Sequence, residues 1–150
     1  VIYYRNDVAR SGVNGRALVA TAKKLLTAAG EPASSLSLTL VDDAAIRTLN
    51  REHRGKDKPT DVLSFSLVEN GSASAERLLG DVVISVDTAR RQAAQYDASL
   101  QAELYRLLIH GILHVLGHDH ERADERRTMV AAERRLADAI GLPWPYGGKI

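Results

Sequence analysis

Four of the chain's five histidines lie between residues 110 and 120, in the order His110-Gly-Ile-Leu-His114-Val-Leu-Gly117-His118-Asp119-His120. No other feature constrains the fold as tightly. Residues i and i+4 share a face of an α-helix, so a helix here aims His110 and His114 at one point. Gly117 can take the left-handed conformation that ends a helix and turns the chain back. His120 then lies beyond the turn, placed to close on the same point as a third ligand. Three neutral imidazoles with one open position are the usual make-up of a catalytic zinc site. An isolated His-x-x-x-His pair would be a solvated helix face; the Gly-x-x-His tail turns it into a metal motif. The chain has no cysteine, which excludes disulfides and thiolate sites and leaves histidine and carboxylate as ligands. The sequence therefore predicts one metal ion per chain, zinc, on His110, His114 and His120.

This spacing is that of the metzincin proteases, with one difference. In those enzymes a glutamate follows the first histidine and serves as general base. Here the position is Gly111, which has no side chain to accept a proton. The motif also offers no carboxylate to protonate an amine leaving group. It is a metal-hydrolase frame without the proteolytic base. Gly111→Glu would restore the His-Glu-x-x-His pattern, yet peptides should remain uncleaved, because a substrate groove would still be missing.

Length and composition set the bounds. At 150 residues, 45% hydrophobic and 26% charged, residues 1–150 are expected to form a single metal-dependent hydrolase domain with a packed core. No apolar run approaches the roughly 20 residues of a membrane span, and the first residues lack the basic-then-apolar pattern of a secretory signal. With the absence of cysteine, this leads to the expectation of a cytoplasmic protein that binds no membrane. A net charge of +1 says nothing about nucleic acid, so that question rests on local patches.

Val1–Tyr4, Ser37–Val41, Val62–Leu67 and Gly80–Val86 read as strands, the last two as antiparallel neighbours. Leu18 through Ala29 keep helical spacing before Gly30. Asp42 or Asp43 can cap a helix carrying Ile46 and Leu49, Asp87 one that reaches Tyr96, and Ser99 the histidine-bearing helix. That last helix has an apolar stripe of Leu100, Leu104, Leu107, Leu108, Gly111 and Val115, with Glu103, Arg106, His110 and His114 on an adjoining face. Met129, Ala132, Leu136 and Ile140 give a final amphipathic helix. The predicted fold is α+β: a small mixed sheet of about four strands covered by helices, with the metal helix at the centre.

With these residues in place, the chain resembles the YbeY-type bacterial endoribonucleases, which mature ribosomal RNA. The resemblance is carried by His110-Gly-Ile-Leu-His114 through Gly117-His118-Asp119-His120, by Thr60-Asp61-Val62-Leu63-Ser64-Phe65 and by Leu79-Gly80-Asp81-Val82-Val83-Ile84-Ser85. Asn50 and Arg54 match an Asn and an Arg of the family's pattern. The matching blocks run in order from about residue 42 to residue 120. Two positions depart from the pattern: His118 stands where many members carry a tyrosine, and Ser66 where many carry a proline. The first leaves open which of the histidines bind metal. The resemblance implies a zinc-dependent endoribonuclease specific for single-stranded RNA, acting in ribosomal RNA maturation and ribosome quality control. It implies metal on His110, His114 and His120, and a catalytic Arg54 near the substrate phosphate. Its implied partners are ribosomal RNA and the small ribosomal subunit, with no DNA substrate.

Other charged residues carry two readings each. Residues 47–58 hold five Lys or Arg and two acidic side chains, either a phosphate-contacting loop or a solvated one. Asp61 can cap its strand or take part in catalysis. Asp119 can orient a ligand histidine or cap the next helix. His118 is a catalytic proton carrier, a ligand or an exposed side chain. Arg122, Arg126, Arg127, Arg134 and Arg135, interleaved with Glu121, Glu125 and Glu133, read as a salt-bridged helix face. Two further functions compete with RNA cleavage. One is a metzincin-like metallopeptidase; the other is a non-enzymatic ribosome assembly factor with a structural metal.

Overall fold

The computed structural model describes residues 1–68, 77–119 and 121–144. Its elements run β1 (Ile2–Asn6), α1 (Gly15–Ala28), β2 (Ser35–Val41), α2 (Asp43–Arg54), β3 (Val62–Ser66), β4 (Leu78–Ser85), α3 (Val86–Gln95), α4 (Leu100–Val115) and α5 (Ala123–Ala139). The four strands form one mixed sheet in the order β1-β2-β4-β3. β1, β2 and β4 are parallel, and β3 runs antiparallel to β4 with Val62 opposite Ile84 and Ser66 opposite Gly80. The α+β class, the mixed four-stranded sheet and the β3–β4 pairing agree with the sequence expectation.

Strand alternation assigns each face of the sheet a different cover. Leu36, Leu38 and Leu40 of β2 point to one side and are fully buried with Leu18, Leu25, Leu104, Leu108, Ile112 and Leu136, so α1, α4 and α5 lie there. Val41, Leu63 and Val83 point to the other side, where they meet Ile46 of α2. A register shift between β2 and β4, at Ser35 and Ser37, places an extra residue in β4. The bulge lets Leu79 and Val82, three residues apart, both face the larger core. The sheet therefore separates α2 from α4.

Helix ends follow local chemistry, with one exchange of roles. Asn14, Asp42, Ser85 and Ser99 accept the backbone N–H three residues on, at the starts of α1, α2, α3 and α4. The sequence assigned the α3 cap to Asp87. Ser85 takes that role, because the helix begins two residues earlier, directly off β4. Asp87 instead accepts the N–H of Asp43 at 2.9 Å and so closes the first turn of α2. Asp43 in turn accepts the hydroxyls of Ser85 and Thr88 at 2.6 and 2.7 Å and Arg91 Nη2 at 2.9 Å, which ties α2 to α3.

Candidate metal centre

α4 owes its straight run to Leu and Ile at helical spacing and its end to Gly117. Gly117 has φ +99°, its N–H bonds to His114 O at 3.0 Å, and the His118 N–H bonds to Leu113 O at 2.9 Å. That pair of bonds is a Schellman C-cap, the left-handed stop expected from the sequence. The last carbonyls of a helix otherwise lack partners. Here Ser66 Oγ donates to Val115 O at 2.7 Å, and one turn earlier Ser64 Oγ donates to Gly111 O at 3.0 Å. β3 thus grips the C-terminal half of α4 along its length.

Gly111 explains how the helix comes so close. A Cβ there would stand 2.7 Å from Val82 Cγ1 and 3.2 Å from both Ser64 Oγ and Val82 Cγ2. The glycine faces the sheet and is a packing contact. Gly111→Glu therefore could not act as a base at this site; the side chain would be driven into β3 and β4. The expectation that this variant leaves peptides uncleaved thus has a steric reason besides the missing groove.

On the half-buried face of α4, His110 and His114 converge as their spacing requires. Their Nε2 atoms are 3.0 Å apart and their rings meet edge to face, centroids 4.5 Å apart. Zinc–imidazole bonds of about 2.0–2.1 Å put two nitrogens of one tetrahedral site a little over 3 Å apart, so this pair fits a shared zinc ion. On the other side of the His110 ring, Nδ1 lies 3.2 Å from Glu133 Oε2 of α5. A carboxylate on the second ring nitrogen is the usual support of a metal-binding histidine. His120 lies outside the described residues. Among the described residues no group of three or more His, Asp or Glu side chains is close enough to hold an ion.

Glu133 was missed by the sequence reading, which placed it among surface salt bridges. Its side chain is only 14% exposed, while Arg134 and Arg135 beside it are exposed. The available signal was position: Glu133 is four residues after buried Met129 and four before buried Ala137, on the inward stripe of α5. Glu125 does behave as expected, pairing with Arg122 at 3.0 Å. Glu103 and Arg106, on the face adjoining the apolar stripe, are 0% and 5% exposed and form a buried ion pair at 3.0 Å.

The remaining site residues fall in three places. Asp61 accepts its own strand's Val62 N–H at 2.7 Å and Gln92 Nε2 at 3.2 Å, and it lines a cavity of ≈ 290 Å³ with Gln92, Tyr96, Arg106, His110 and Glu133. His118 lines a separate depression with Asp119, Asp124 and Glu125 beyond the end of α4. Arg54 ends α2 on the sheet face opposite to α4. The sheet does not place it directly over the histidines, but residues adjacent to each reach the same end of edge strand β3. His53 packs on Phe65 with ring centroids 5.0 Å apart, and Ser66 bonds to the helix one residue after His114.

The charged segment around Arg54 is ordered from within. Asn50, 2% exposed, donates to Lys58 O at 2.8 Å and so has a structural role. Asp57 takes Arg47 in a two-point contact at 2.9 and 3.2 Å, with Arg51 at 3.8 Å. The Arg47 hydrogen bond, aided by the charges of Arg47 and Arg51, holds the Asp57 carboxyl below its ordinary range. Arg54 stands exposed and pairs with none of the described acidic side chains.

Comparison with known proteins now decides the family. The model of the endoribonuclease YbeY family matches residues 5–141. This chain belongs to the YbeY family. An endoribonuclease YbeY of Anaeromyxobacter dehalogenans is 54% identical over 127 residues, covering 85% of this chain and 65% of the relative. One from Moorella thermoacetica is 46% identical over 142 residues, covering 85% of this chain and 90% of the relative. Among solved structures, the solution structure of TM1509 from Thermotoga maritima superposes with a TM-score of 0.64 at 25% identity, covering 94% of this chain and 90% of that one. Among the described residues no helix is long and apolar enough to cross a membrane.

Proposed function

We propose that this chain is a zinc-dependent endoribonuclease that cuts single-stranded RNA, with ribosomal RNA in the small subunit as its substrate and ribosome maturation and quality control as its setting. The observation that carries the reading is the convergence of His110 and His114 Nε2 at 3.0 Å on a helix held by β3. Family membership supports it, since the relatives are named as endoribonucleases. His110 and His114 would hold the ion with His120 as third ligand. A bound zinc ion would supply a concentrated positive charge for the nonbridging phosphate oxygens. Arg54, reaching around the β3 edge, would clamp a phosphate oxygen with its planar fork and hold the strand against the helix. RNA brings its own 2′-hydroxyl as a nucleophile, so the absence of a glutamate at position 111 is no handicap as it would be for peptide cleavage. His118, beyond the end of α4, would exchange a proton with a substrate that extends past the helix.

Purified protein loaded with zinc should cleave single-stranded RNA and leave casein intact, and His114→Ala should abolish cleavage. Arg54→Ala should lower the rate by on the order of a hundredfold while metal content and fold persist. Zinc-dependent cleavage of casein lost in His114→Ala, with RNA untouched, would overturn the assignment in favour of a peptidase. RNA turnover that is the same in wild type and His114→Ala would show that the histidine pair is not the site.

A further inference from the structure

We infer that Glu133 is the positioning residue of the metal centre: it fixes which nitrogen of His110 carries the proton and thereby sets the affinity of the site for a zinc-class cation. The inference rests on the metal reading above and adds a residue from a different helix. A carboxylate only accepts hydrogen bonds, so the 3.2 Å contact with Glu133 Oε2 places the proton of a neutral His110 on Nδ1. The Nε2 of that ring is then a bare lone pair. It points at His114 Nε2, 3.0 Å away, which is the point where two imidazoles would share an ion. Glu133 addresses the far nitrogen and not the shared point, so it orients a ligand and is not one itself. Its 14% exposure, against 33% for the His110 side chain, keeps water from competing well for Nδ1.

Two readouts test this without relying on enzyme turnover. In chelator-stripped protein carrying ¹⁵N-histidine, long-range proton–nitrogen correlation should show His110 as the Nδ1–H tautomer, and adding zinc should leave that proton on Nδ1. Glu133→Ala should bring the Nε2–H form of His110 into the population. In competition with a chromophoric chelator, Glu133→Ala should bind zinc 10–100-fold more weakly, the usual effect of losing such a support. Glu133→Gln is nearly isosteric, keeps a neutral acceptor, and should fall in between; its circular dichroism guards against a folding artefact. If both variants bind zinc as tightly as wild type while His114→Ala does not, the role of Glu133 is refuted and the metal reading stands. If they lose thermal stability with zinc affinity and His110 tautomer unchanged, Glu133 is only a strut between α4 and α5, which also refutes it. If wild type binds no zinc, the metal reading fails and takes this inference with it.

Discussion

Gly111→Ala adds a single methyl at a close contact between α4 and the sheet. In a free helix that change stabilises by about 1 kcal/mol, because glycine is the poorer helix former. Here the new carbon would meet Val82 Cγ1 at 2.7 Å. Carbon atoms pack at about 3.5–4.0 Å, so the overlap is about 1 Å. Val82 is fully buried and, being β-branched, has little rotational freedom to give. Overpacking of this kind costs about 1–3 kcal/mol, so the net effect runs from near neutral to a loss of about 2 kcal/mol. Urea unfolding should show a midpoint lower by up to roughly 1 M for a chain of this size. Relief should come from the other side: Val82→Ala removes the atoms in the way. The double variant should then be more stable than the sum of the singles implies, by on the order of 1 kcal/mol. Because Ser64 bonds to Gly111 O and His110 is the preceding residue, lifting the helix should also weaken zinc binding. A midpoint that rises by the full helix-propensity gain, with no coupling to Val82, would refute the packing role of Gly111.

Three shorter expectations accompany it. Glu103→Gln or Arg106→Met should each destabilise by about 3–5 kcal/mol in thermal or urea unfolding, because each leaves its partner's charge buried in the core; an apolar replacement of both should recover much of the loss. Burial pushes the Asp43 carboxyl up, but the hydrogen bonds from Ser85, Thr88 and Arg91 outweigh it and hold the group below its ordinary value. A depressed folded value means that the contribution is whole above about pH 4, the unfolded carboxyl range, and fades as pH falls through the folded value. The melting-temperature gap between wild type and Asp43→Asn should therefore be constant at neutral pH and close in acid; a gap that persists to pH 2 would contradict it. Ser66→Ala should cost about 1 kcal/mol by leaving Val115 O without its hydroxyl donor, visible as faster amide exchange in the last turn of α4.

The residues themselves determined everything that depends on local period and local caps. The His110–His114 spacing dictates a shared helix face, Gly117 stops the helix, and alternation at Ser37–Val41 makes a strand whose leucines must be covered. Side-chain polarity, by contrast, does not tell which polar groups turn inward once helices are stacked. The spacing of Glu103 and Arg106 permits an ion pair within α4, but only the packing of that helix against its neighbours shows that the pair is buried. Glu133 reads as part of a solvated face because its ring partner lies 23 residues away on another helix. Asp87 lost the cap of its own helix to Ser85 and gained the first turn of α2, 44 residues back, for the same reason. Gly111 is the sharpest case. Its missing side chain reads, within a motif, as a missing base; the sheet behind it shows a helix seated so close that an added Cβ would meet Val82 Cγ1 at 2.7 Å. A sequence states the chemistry each residue can do, and tertiary contact decides the direction it faces while doing it.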